Sequence, residues 1–310
     1  MSDPRVVAVV ATYRRPLEIA RLLASLEKST VPLHGIVVTD NADDFPTGEA
    51  LERTTLPHHL VRAGKNLGCG GGLRLAEEAA LRQFPTLTHV WVLDDDVVLE
   101  PGTLGTLLST METHRAGAAC PIPHDAEGHL GWFPGLVRPG PRRVLTRSAT
   151  PVEYVQRCGS VPEYFNWATG VALLVSRSAL EKAGLHRDDF WMRGEDLDFS
   201  LRVTRAARGI FVPSATVAHL PPGGGKVTFD FAERMKHAAM LQNCNYLITH
   251  THHGRAIAKD WPGNTRRHVR LYGGRALGDI LRAIWLGALR GLPAGAPGGE
   301  YFRQRLTRGK

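Results

Sequence analysis

Three consecutive carboxylates, Asp94, Asp95 and Asp96, follow a short apolar run in the sequence HVWVLDDDVVLE. An apolar run of this length with polar residues on either side predicts a buried strand. Adjacent carboxylates at the end of such a strand repel one another and are costly to desolvate unless a cation compensates their charge. A divalent metal with oxygen ligands would do so and would also hold a diphosphate. The alternative is a solvated acidic turn before the helix that starts near Pro101.

A second polar group follows two runs of β-branched residues. Residues 5–12 (RVVAVVAT) and 35–39 (GIVVT) predict the first two strands. Because ligands of open α/β sheets bind at the carboxyl ends of neighbouring strands, Tyr13, Arg15 and Asp40 predict a nucleoside pocket. In that pocket Asp40 would accept a hydrogen bond from the base and Tyr13 would line the ring. A turn aspartate and a surface tyrosine are the alternative.

The glycine-rich turn NLGCGGG, residues 66–72, precedes a predicted helix over residues 73–83. Glycines let the backbone approach a ligand, and a helix start offers N–H groups to phosphate. The pattern is neither a GxGxxG after the first strand nor a P-loop, so it argues against both of those sites.

Glu195 and Asp196 stand at the start of a helix predicted over residues 195–207, in the run WMRGEDLDFSLR. The helix dipole favours ionised carboxylates there, and an ionised carboxylate beside a substrate hydroxyl is a general base. Trp191 offers a platform on which a sugar ring could stack. His219, after a predicted strand, is a suitable third ligand for a metal held by carboxylates. Ordinary helix capping and a structural histidine are the alternatives.

Together and in this order, the motifs resemble the family 2 inverting glycosyltransferases with the GT-A fold, over about residues 5–220. The matching runs are VVATYRRP, VVTDNAD, GKNLGCGGGLRLA, WVLDDDVVLEPGTL, WATGVALLVSRSAL, FWMRGEDLDFSLRV and the isolated His219. The combination of NLGxGGG with a triple aspartate resembles the bacterial galactofuranosyl- and rhamnosyl-transferase branch.

The resemblance implies a hexosyltransferase that moves a sugar from a UDP- or dTDP-sugar to a hydroxyl of a glycan or lipid-linked acceptor, in polysaccharide or cell-wall synthesis. It implies that Asp94, Asp96 and His219 coordinate Mn²⁺ or Mg²⁺ and that Asp196 is the base, with Glu195 beside it. The donor site would comprise Thr12, Tyr13, Arg15, Asp40, Asn66, Gly68 and Asp95, and the acceptor side Trp167 and Trp191. The alternatives are a metal-dependent nucleotidyltransferase or phosphodiesterase, and a non-catalytic nucleotide-sugar-binding module.

The predicted fold is α/β, with a Rossmann-like, mostly parallel sheet flanked by helices. Residues 1–228 are predicted to form the GT-A catalytic domain, with a nucleotide and metal half over about 1–120 and an acceptor half over about 121–228. Residues 121–165, rich in Pro, Gly and Arg, predict hairpins and loops. Residues 221–229 (PPGGGKVTF) predict a lid that orders on donor binding. A mainly helical C-terminal region is expected over 229–310.

Positive charge is concentrated at the C-terminal end of this 310-residue chain. The formal net charge is +8, and residues 255–310 contain 12 Lys and Arg against 3 Asp and Glu. No nucleic-acid-binding pattern is visible, which argues against a nucleic-acid partner. The run RALGDILRAIWLGALR, residues 275–290, predicts a basic amphipathic helix that contacts an anionic lipid surface. Packing of this helix on the catalytic domain or on a second subunit is the alternative.

Four widely spaced cysteines without a CxxC pattern, and an N-terminus without a signal-like apolar core, suggest a cytoplasmic protein. Membrane contact through the C-terminal helix would then be peripheral, on the inner face of the plasma membrane.

Overall fold

The computed structural model describes residues 3–43, 45–136, 149–221, 230–252, 254–259 and 261–308. The chain forms two compact units. The first comprises residues 1–66, 72–185 and 199–225, and the second comprises residues 67–71, 186–198 and 226–310. The predicted C-terminal region thus shares a unit with two short segments from the motif-bearing part of the chain.

The first unit contains one sheet with ten described strands. They are β1 (Val6–Thr12), β2 (Gly35–Asp40), β3 (His58–Arg62), β4 (His89–Leu93), β5 (Val97–Leu99), β6 (Ala118–His124), β7 (Gly135–Leu136), β8 (Glu163–Trp167), β9 (Ala172–Ser176) and β10 (Gly209–His219). The strand order is β3-β2-β1-β4-β9-β6-β10-β8-β7, and β5 pairs with β10.

Parallel pairing is confined to part of this sheet. β3, β2, β1 and β4 are parallel neighbours. β1 and β2 consist of β-branched and small residues that are almost entirely buried, as expected for strands covered on both faces. β9 is antiparallel to both β4 and β6, and β10 is parallel to β6 but antiparallel to β5 and β8. The predicted α/β class is confirmed, and the sheet is mixed beyond β4.

Helices connect these strands and supply much of the core. They are α1 (Pro16–Leu26), α2 (Phe45–Glu52), α3 (Gly68–Gln83), α4 (Thr103–His114), α5 (Pro151–Cys158), α6 (Arg177–Ala183) and α7 (Glu195–Ala206). Pro16 opens α1, where its missing N–H has no helical partner to lose. Ile19 and Leu22 of α1 are fully buried and join Val6, Ala8 and other sheet residues in one core cluster.

Helix α5 lies in the stretch that was predicted to contain only hairpins and loops. Its start is a capping box, in which Thr150 Oγ1 accepts from Glu153 N at 3.2 Å and the Glu153 carboxylate accepts from Thr150 N at 2.8 Å. Pro151 follows the cap. The sequence T-P-V-E carries this signal, so the loop prediction was wrong here.

Two other boundaries differ from the predictions. The sequence predicts two short strands near the end of the first unit, at 210–212 and 216–218, but these are one strand, β10, with a register shift between Val212 and Thr216. Pro213 lies in this interval, and a residue without an N–H cannot donate to a ladder. Helix α3 begins at Gly68 rather than at residue 73.

The second unit is helical, as predicted. Its helices are α8 (Phe231–His250), α9 (Arg255–Ala258), α10 (Trp261–Tyr272), α11 (Arg275–Ile284) and α12 (Tyr301–Arg308), with a 3₁₀ turn at Asp188–Phe190 and a π-helical turn at Trp285–Leu289. Met235 and Leu241 of α8 share a hydrophobic core with Ile280 of α11 and Phe302 of α12. Asp279, buried on α11, accepts two hydrogen bonds from Arg234 at 2.7 and 2.8 Å and lies 3.0 Å from His268 Nε2.

None of the helices in the described ranges combines the length and apolarity needed to cross a bilayer. Residues 222–229 of the predicted lid lie outside the described residues.

Candidate active site

The register of a short antiparallel ladder places His219 beside the aspartates. β4 ends at Leu93, and the chain resumes as β5 at Val97, immediately after Asp96. Val97 is the ladder partner of His219, the last residue of β10. Leu220 N then donates to Asp96 O at 2.7 Å, which closes the ladder next to the carboxylates. Residues more than a hundred positions apart in sequence therefore meet at one edge of the sheet.

Asp94, Asp96 and His219 form a compact set of metal-ligand atoms. His219 Nε2 lies 2.8 Å from Asp96 Oδ1 and 3.5 Å from Asp94 Oδ2, and the three ligand atoms all lie within 4.8 Å of one another. Asp96 Oδ1 is buried yet receives no well-directed hydrogen bond from the described residues. Two carboxylate oxygens and one imidazole nitrogen this close together fit a divalent cation such as Mn²⁺ or Mg²⁺.

The middle carboxylate, Asp95, faces the end of β1 instead. Thr12 Oγ1 donates to Asp95 Oδ2 at 2.7 Å, and Arg15 Nη1 donates to Asp95 Oδ1 at 2.7 Å. The same Arg15 nitrogen lies 2.9 Å from Asp96 Oδ2. Arg15 therefore supplies part of the positive charge that the three adjacent carboxylates require.

For the buried aspartates, burial raises the pKa, whereas the hydrogen-bond and ion-pair partners lower it. Burial and the charge of Asp96 raise the pKa of Asp95 above its ordinary value, although Arg15 and Thr12 act against the rise. For Asp96, burial would also raise the pKa, but the contacts with His219 and Arg15 outweigh it and lower the pKa. Burial would lower the pKa of His219, but Asp96 and the neighbouring aspartates raise it. The shifts of Asp96 and His219 share one cause, which is the attraction between this carboxylate and the imidazole beside it.

Trp132 belongs to this site and was not predicted from the sequence. Its ring meets the His219 ring edge-on, with centroids 4.1 Å apart and planes at 74°. The side chain is 38% exposed, and the backbone has φ of +48°. An exposed aromatic ring beside a candidate metal site could stack on a sugar. The only hint in the sequence was an aromatic residue within a loop rich in Gly and Pro.

Asp40 has a structural role at the end of β2. Its carboxylate is fully buried, and Oδ1 accepts from the backbone N–H groups of Ala42 at 2.9 Å and Asp43 at 3.1 Å. This is the turn role that was weighed as the alternative. Asp40 is also the register partner of Thr12, so the two strand ends are adjacent as predicted. Tyr13 is half-buried, with the Arg14 guanidinium 5.1 Å from its ring centroid.

In the second unit, the glycine turn packs against the segment that carries Trp191. Gly68 has φ of +74°, and a Cβ there would lie 2.2 Å from Trp191 O. Gly70 N donates to the same carbonyl at 3.2 Å. Close backbone packing is therefore sufficient to require glycine at position 68. Asn66 is half-buried and belongs to the first unit.

Glu195 and Asp196 begin α7, as predicted. The first helical hydrogen bond runs from Asp198 N to Gly194 O at 3.0 Å, so both carboxylates lie in the first turn. Glu195 is buried and Asp196 is half-buried, and Asp196 Oδ1 accepts from Leu197 N at 2.8 Å. The positive end of the helix dipole favours their ionised forms.

The two predicted acceptor-side tryptophans are less accessible than expected. Trp191 is 2% exposed and lies in the hydrophobic core of the second unit, so its ring faces are covered there. The open stacking platform expected at Trp191 is therefore absent. Trp167, in β8, is half-buried, and its indole packs on Gly135, where a Cβ would lie 2.1 Å from Nε1.

The family model described as Glycosyl transferase family 2 matches residues 7–176, which is more than half of the chain. The chain belongs to glycosyl transferase family 2. This glycosyltransferase is 31% identical over 229 residues to an N-acetylglucosaminyl-diphospho-decaprenol L-rhamnosyltransferase of Mycobacterium tuberculosis, a match that covers 68% of this chain and 74% of the relative. It is 35% identical over 120 residues to galactofuranosyltransferase GlfT1 of the same species, covering 38% and 39%.

Two solved structures share the fold of this glycosyltransferase. Mannosyltransferase PcManGT from Pyrobaculum calidifontis, in complex with GDP-Man and Mn²⁺, has a TM-score of 0.55 at 21% identity and covers 100% of this chain and 80% of its own. S. aureus TarS 1-349 in complex with UDP has a TM-score of 0.58 at 14% identity and covers 99% and 92%. The predicted GT-A fold, glycosyltransferase class and family are thereby confirmed.

Proposed function

We propose that this enzyme transfers a hexosyl group, with inversion, from a UDP- or dTDP-sugar to the hydroxyl of a glycan or lipid-linked acceptor. The observation that carries the proposal is the cluster of Asp94, Asp96 and His219 at the carboxyl end of the parallel strands, where ligands of α/β sheets bind. Folding alone does not require such a cluster, because burying carboxylates costs free energy unless a cation compensates their charge.

The residues of the first unit would bind and orient the donor. Asp94, Asp96 and His219 would hold Mn²⁺ or Mg²⁺, which neutralises charge on a nucleoside diphosphate when bound. Arg15, whose guanidinium already lies on Asp95 and Asp96, would add a second cation beside the diphosphate. Thr12 donates to Asp95 Oδ2 and would hold that carboxylate in place beside the nucleotide. Trp132 would cover one face of the sugar.

Asp196 would accept the proton from the acceptor hydroxyl as that oxygen attacks the anomeric carbon. The C–O bond to the acceptor forms as the bond to the diphosphate breaks, so a single displacement inverts the anomeric configuration without an enzyme nucleophile. The first turn of α7 favours the ionised form of Asp196, which is the form that can accept a proton. Glu195, buried next to it, would support the position of the backbone.

The acceptor class is proposed from the relative with 74% of its length covered. The name of that protein specifies an N-acetylglucosaminyl-diphospho-decaprenol acceptor and a rhamnosyl donor. A polyprenyl-diphosphate-linked sugar would present the acceptor at a membrane surface, and rhamnose and galactofuranose are the donor sugars to test first. The product would enter polysaccharide or cell-wall assembly.

The second unit carries a surface that suits a lipid interface. The predicted apolar face of residues 275–290 is divided in the structure. Ala276, Ile280, Ala283 and Leu286 are buried in the core of the unit, together with residues of α8 and α12. Four other side chains, spaced four residues apart, remain outside. They are Leu277 (63% exposed), Leu281 (58%), Trp285 (39%) and Leu289 (72%), here called the apolar stripe.

The charges beside the apolar stripe are complementary to anionic phospholipid. Arg282 and Arg290 lie over the Trp285 ring, 4.6 and 5.4 Å from its centroid. The acid of α11, Asp279, is buried and paired with Arg234. An apolar surface bordered by arginines is typical of a helix that lies in the interface of a membrane. We therefore propose peripheral contact with the cytoplasmic leaflet.

A donor screen tests the proposed chemistry directly. Thermal unfolding is measured with UDP- and dTDP-sugars, each with Mn²⁺, with Mg²⁺ and with EDTA. A donor at about 100 times its Kd adds about 2.7 kcal/mol to the stability of the native state. Stabilisation that needs both nucleotide and metal supports the proposal, and transfer to a polyprenyl-diphosphate-linked sugar with release of nucleoside diphosphate completes it. Release of pyrophosphate or nucleoside monophosphate would contradict it.

A further inference from the structure

The loop that leads into Glu195 and Asp196 has an unusual backbone. Residues 190–194, here called the ED loop, include Trp191 with φ of +60°, Arg193 with φ of +59° and Gly194 with φ of +106°. Non-glycine residues in this region are unfavourable by about 1–3 kcal/mol each, and they persist only where the surroundings hold them. The ED loop therefore needs specific partners, and these lie within the second unit.

Asn243, in the middle of α8, is the main side-chain partner of the ED loop. It is fully buried, and its Nδ2 lies 2.8 Å from Arg193 O, 3.1 Å from Phe190 O and 3.3 Å from Met192 O. An amide has two N–H bonds, so the three carbonyls share them. Its Oδ1 accepts from Ala294 N at 2.8 Å, which determines that the NH₂ side faces the ED loop.

The contact lies directly before the two carboxylates. Arg193 O, the nearest acceptor, is two residues before Glu195, and the next carbonyl, that of Gly194, accepts the first hydrogen bond of α7. A Cβ on Gly194 would lie 3.0 Å from Asn243 Cβ, so the loop backbone packs on this side chain. Any shift of Asn243 would therefore rotate the start of α7 and move the carboxylate of Asp196.

We infer that Asn243 is a positioning residue that sets the orientation of Asp196 for proton abstraction. The inference rests on the proposed role of Asp196 as the base. Asn243 touches neither donor nor acceptor in this role, since its amide is consumed by backbone groups. Its loss should act on the chemical step and leave nucleotide binding in place.

The neighbouring residue provides a matched control. Gln242 is also fully buried on α8, and its Nε2 donates to Leu292 O and Gly299 O, each at 2.8 Å. Its side-chain amide also donates to backbone carbonyls, two against the three near Asn243 Nδ2, but these lie in the segment before α12 and not in the ED loop. Truncating either amide leaves buried carbonyls unpaired, with a comparable loss of stability of about 1–3 kcal/mol.

The experiment compares Asn243→Ala, Asn243→Asp, Gln242→Ala and Asp196→Asn in the full-length protein. Transfer rates are measured at saturating donor and acceptor, affinity for the stabilising nucleotide with Mn²⁺ is measured by calorimetry, and folding by thermal unfolding. We expect kcat to fall about tenfold or more in both Asn243 variants, since a misplacement of about 1 Å can cost about a hundredfold in rate. Nucleotide Kd should change less than about twofold. Gln242→Ala should unfold at a similarly reduced temperature with kcat within about threefold of wild type.

The outcomes separate this inference from the function on which it rests. Wild-type kcat in Asn243→Ala, or an equal loss in Gln242→Ala, would overturn the positioning role while Asp196→Asn remains inactive. A fully active Asp196→Asn would instead remove the base assignment and this inference with it. If neither Asn243 variant folds, Gly194→Ala approaches the same contact from the loop side. It should then lower kcat and keep nucleotide affinity, and unchanged kcat would overturn the inference.

Discussion

Replacing two leucines of the apolar stripe should release the enzyme from anionic membranes. Complete burial of a leucine side chain contributes about 1.5–3 kcal/mol. Leu277 is 63% exposed and Leu281 is 58% exposed, so each can contribute about 1–2 kcal/mol on entering the lipid interface. The double variant Leu277→Gln with Leu281→Gln should therefore lose about 2–4 kcal/mol, which lowers the partition coefficient by about 30- to 1000-fold.

The assay is co-sedimentation of the full-length protein with vesicles of phosphatidylcholine alone and with phosphatidylglycerol added. The wild-type protein should bind the anionic vesicles and lose affinity as salt rises, because arginine attraction to anionic lipid, about 1 kcal/mol per residue, is screened. Leu17→Gln is the matched control, since Leu17 of α1 is 74% exposed in the first unit. Both exposed substitutions should leave thermal unfolding nearly unchanged.

Two results would refute this reasoning. Equal partitioning of the double variant and the wild type would show that the apolar stripe does not meet lipid. A concentration-dependent dimer that the double variant abolishes, with no vesicle binding by either protein, would show that the stripe is covered by a second copy of the chain.

Three further predictions concern the candidate site and the helical unit. Asp94→Ala and Asp96→Ala should each abolish the metal-dependent part of nucleotide binding in calorimetry, because each removes a ligand atom, and unchanged affinity in both would exclude the metal assignment. Asp196→Asn should keep donor affinity and lower kcat by about a hundredfold or more. Asp188 is an exposed carboxylate of the same unit, and Asp188→Asn should leave kcat unchanged. Poor donor binding with normal turnover in Asp196→Asn would place Asp196 in the donor site. Burial and the charge of Arg193 lower the pKa of His237 from 6.5 to about 4, so its protonation favours the unfolded state and stability falls as pH drops from 6.5 toward 4. Linkage gives a decrease of about 2 kcal/mol in the free energy of unfolding between pH 7 and pH 5. His237→Gln should remove this decrease, whereas His252→Gln, at an exposed histidine, should leave it in place.

The hydrophobic pattern of the sequence was sufficient for the first two strands in the parallel part of the sheet. The runs that became β1 and β2 are continuous and β-branched, which is the composition of strands buried on both faces. The sequence also predicts a helix from about residue 103 to residue 114, and α4 has these bounds, because its apolar residues are regularly spaced after Pro101. Helix α5 was missed because the Pro- and Gly-rich composition around it outweighed its short capping signal.

The division of the chain into units could not be obtained from the order of motifs. Residues 67–71 and 186–198 are distant in sequence from the C-terminal helices but belong to the same unit as them. Their backbone partners, such as the contact of Gly70 N with Trp191 O, depend on folding of the whole unit. A glycine at position 68 was interpreted as access for a ligand, while the structure shows that backbone packing also requires it.

The sequence by itself identified the residues that are proposed to carry chemistry: the triple aspartate, the Glu-Asp pair at a helix start and an isolated histidine after a strand. These follow from residue type and local position, since carboxylate repulsion and the helix dipole act over a few residues. Only the tertiary structure decided that His219 lies against Asp96, that Arg15 and Thr12 hold Asp95, and that Trp191 is buried while Trp132 stands beside His219. Ladder register and core packing determine where these side chains lie, and both depend on contacts between residues far apart in the chain.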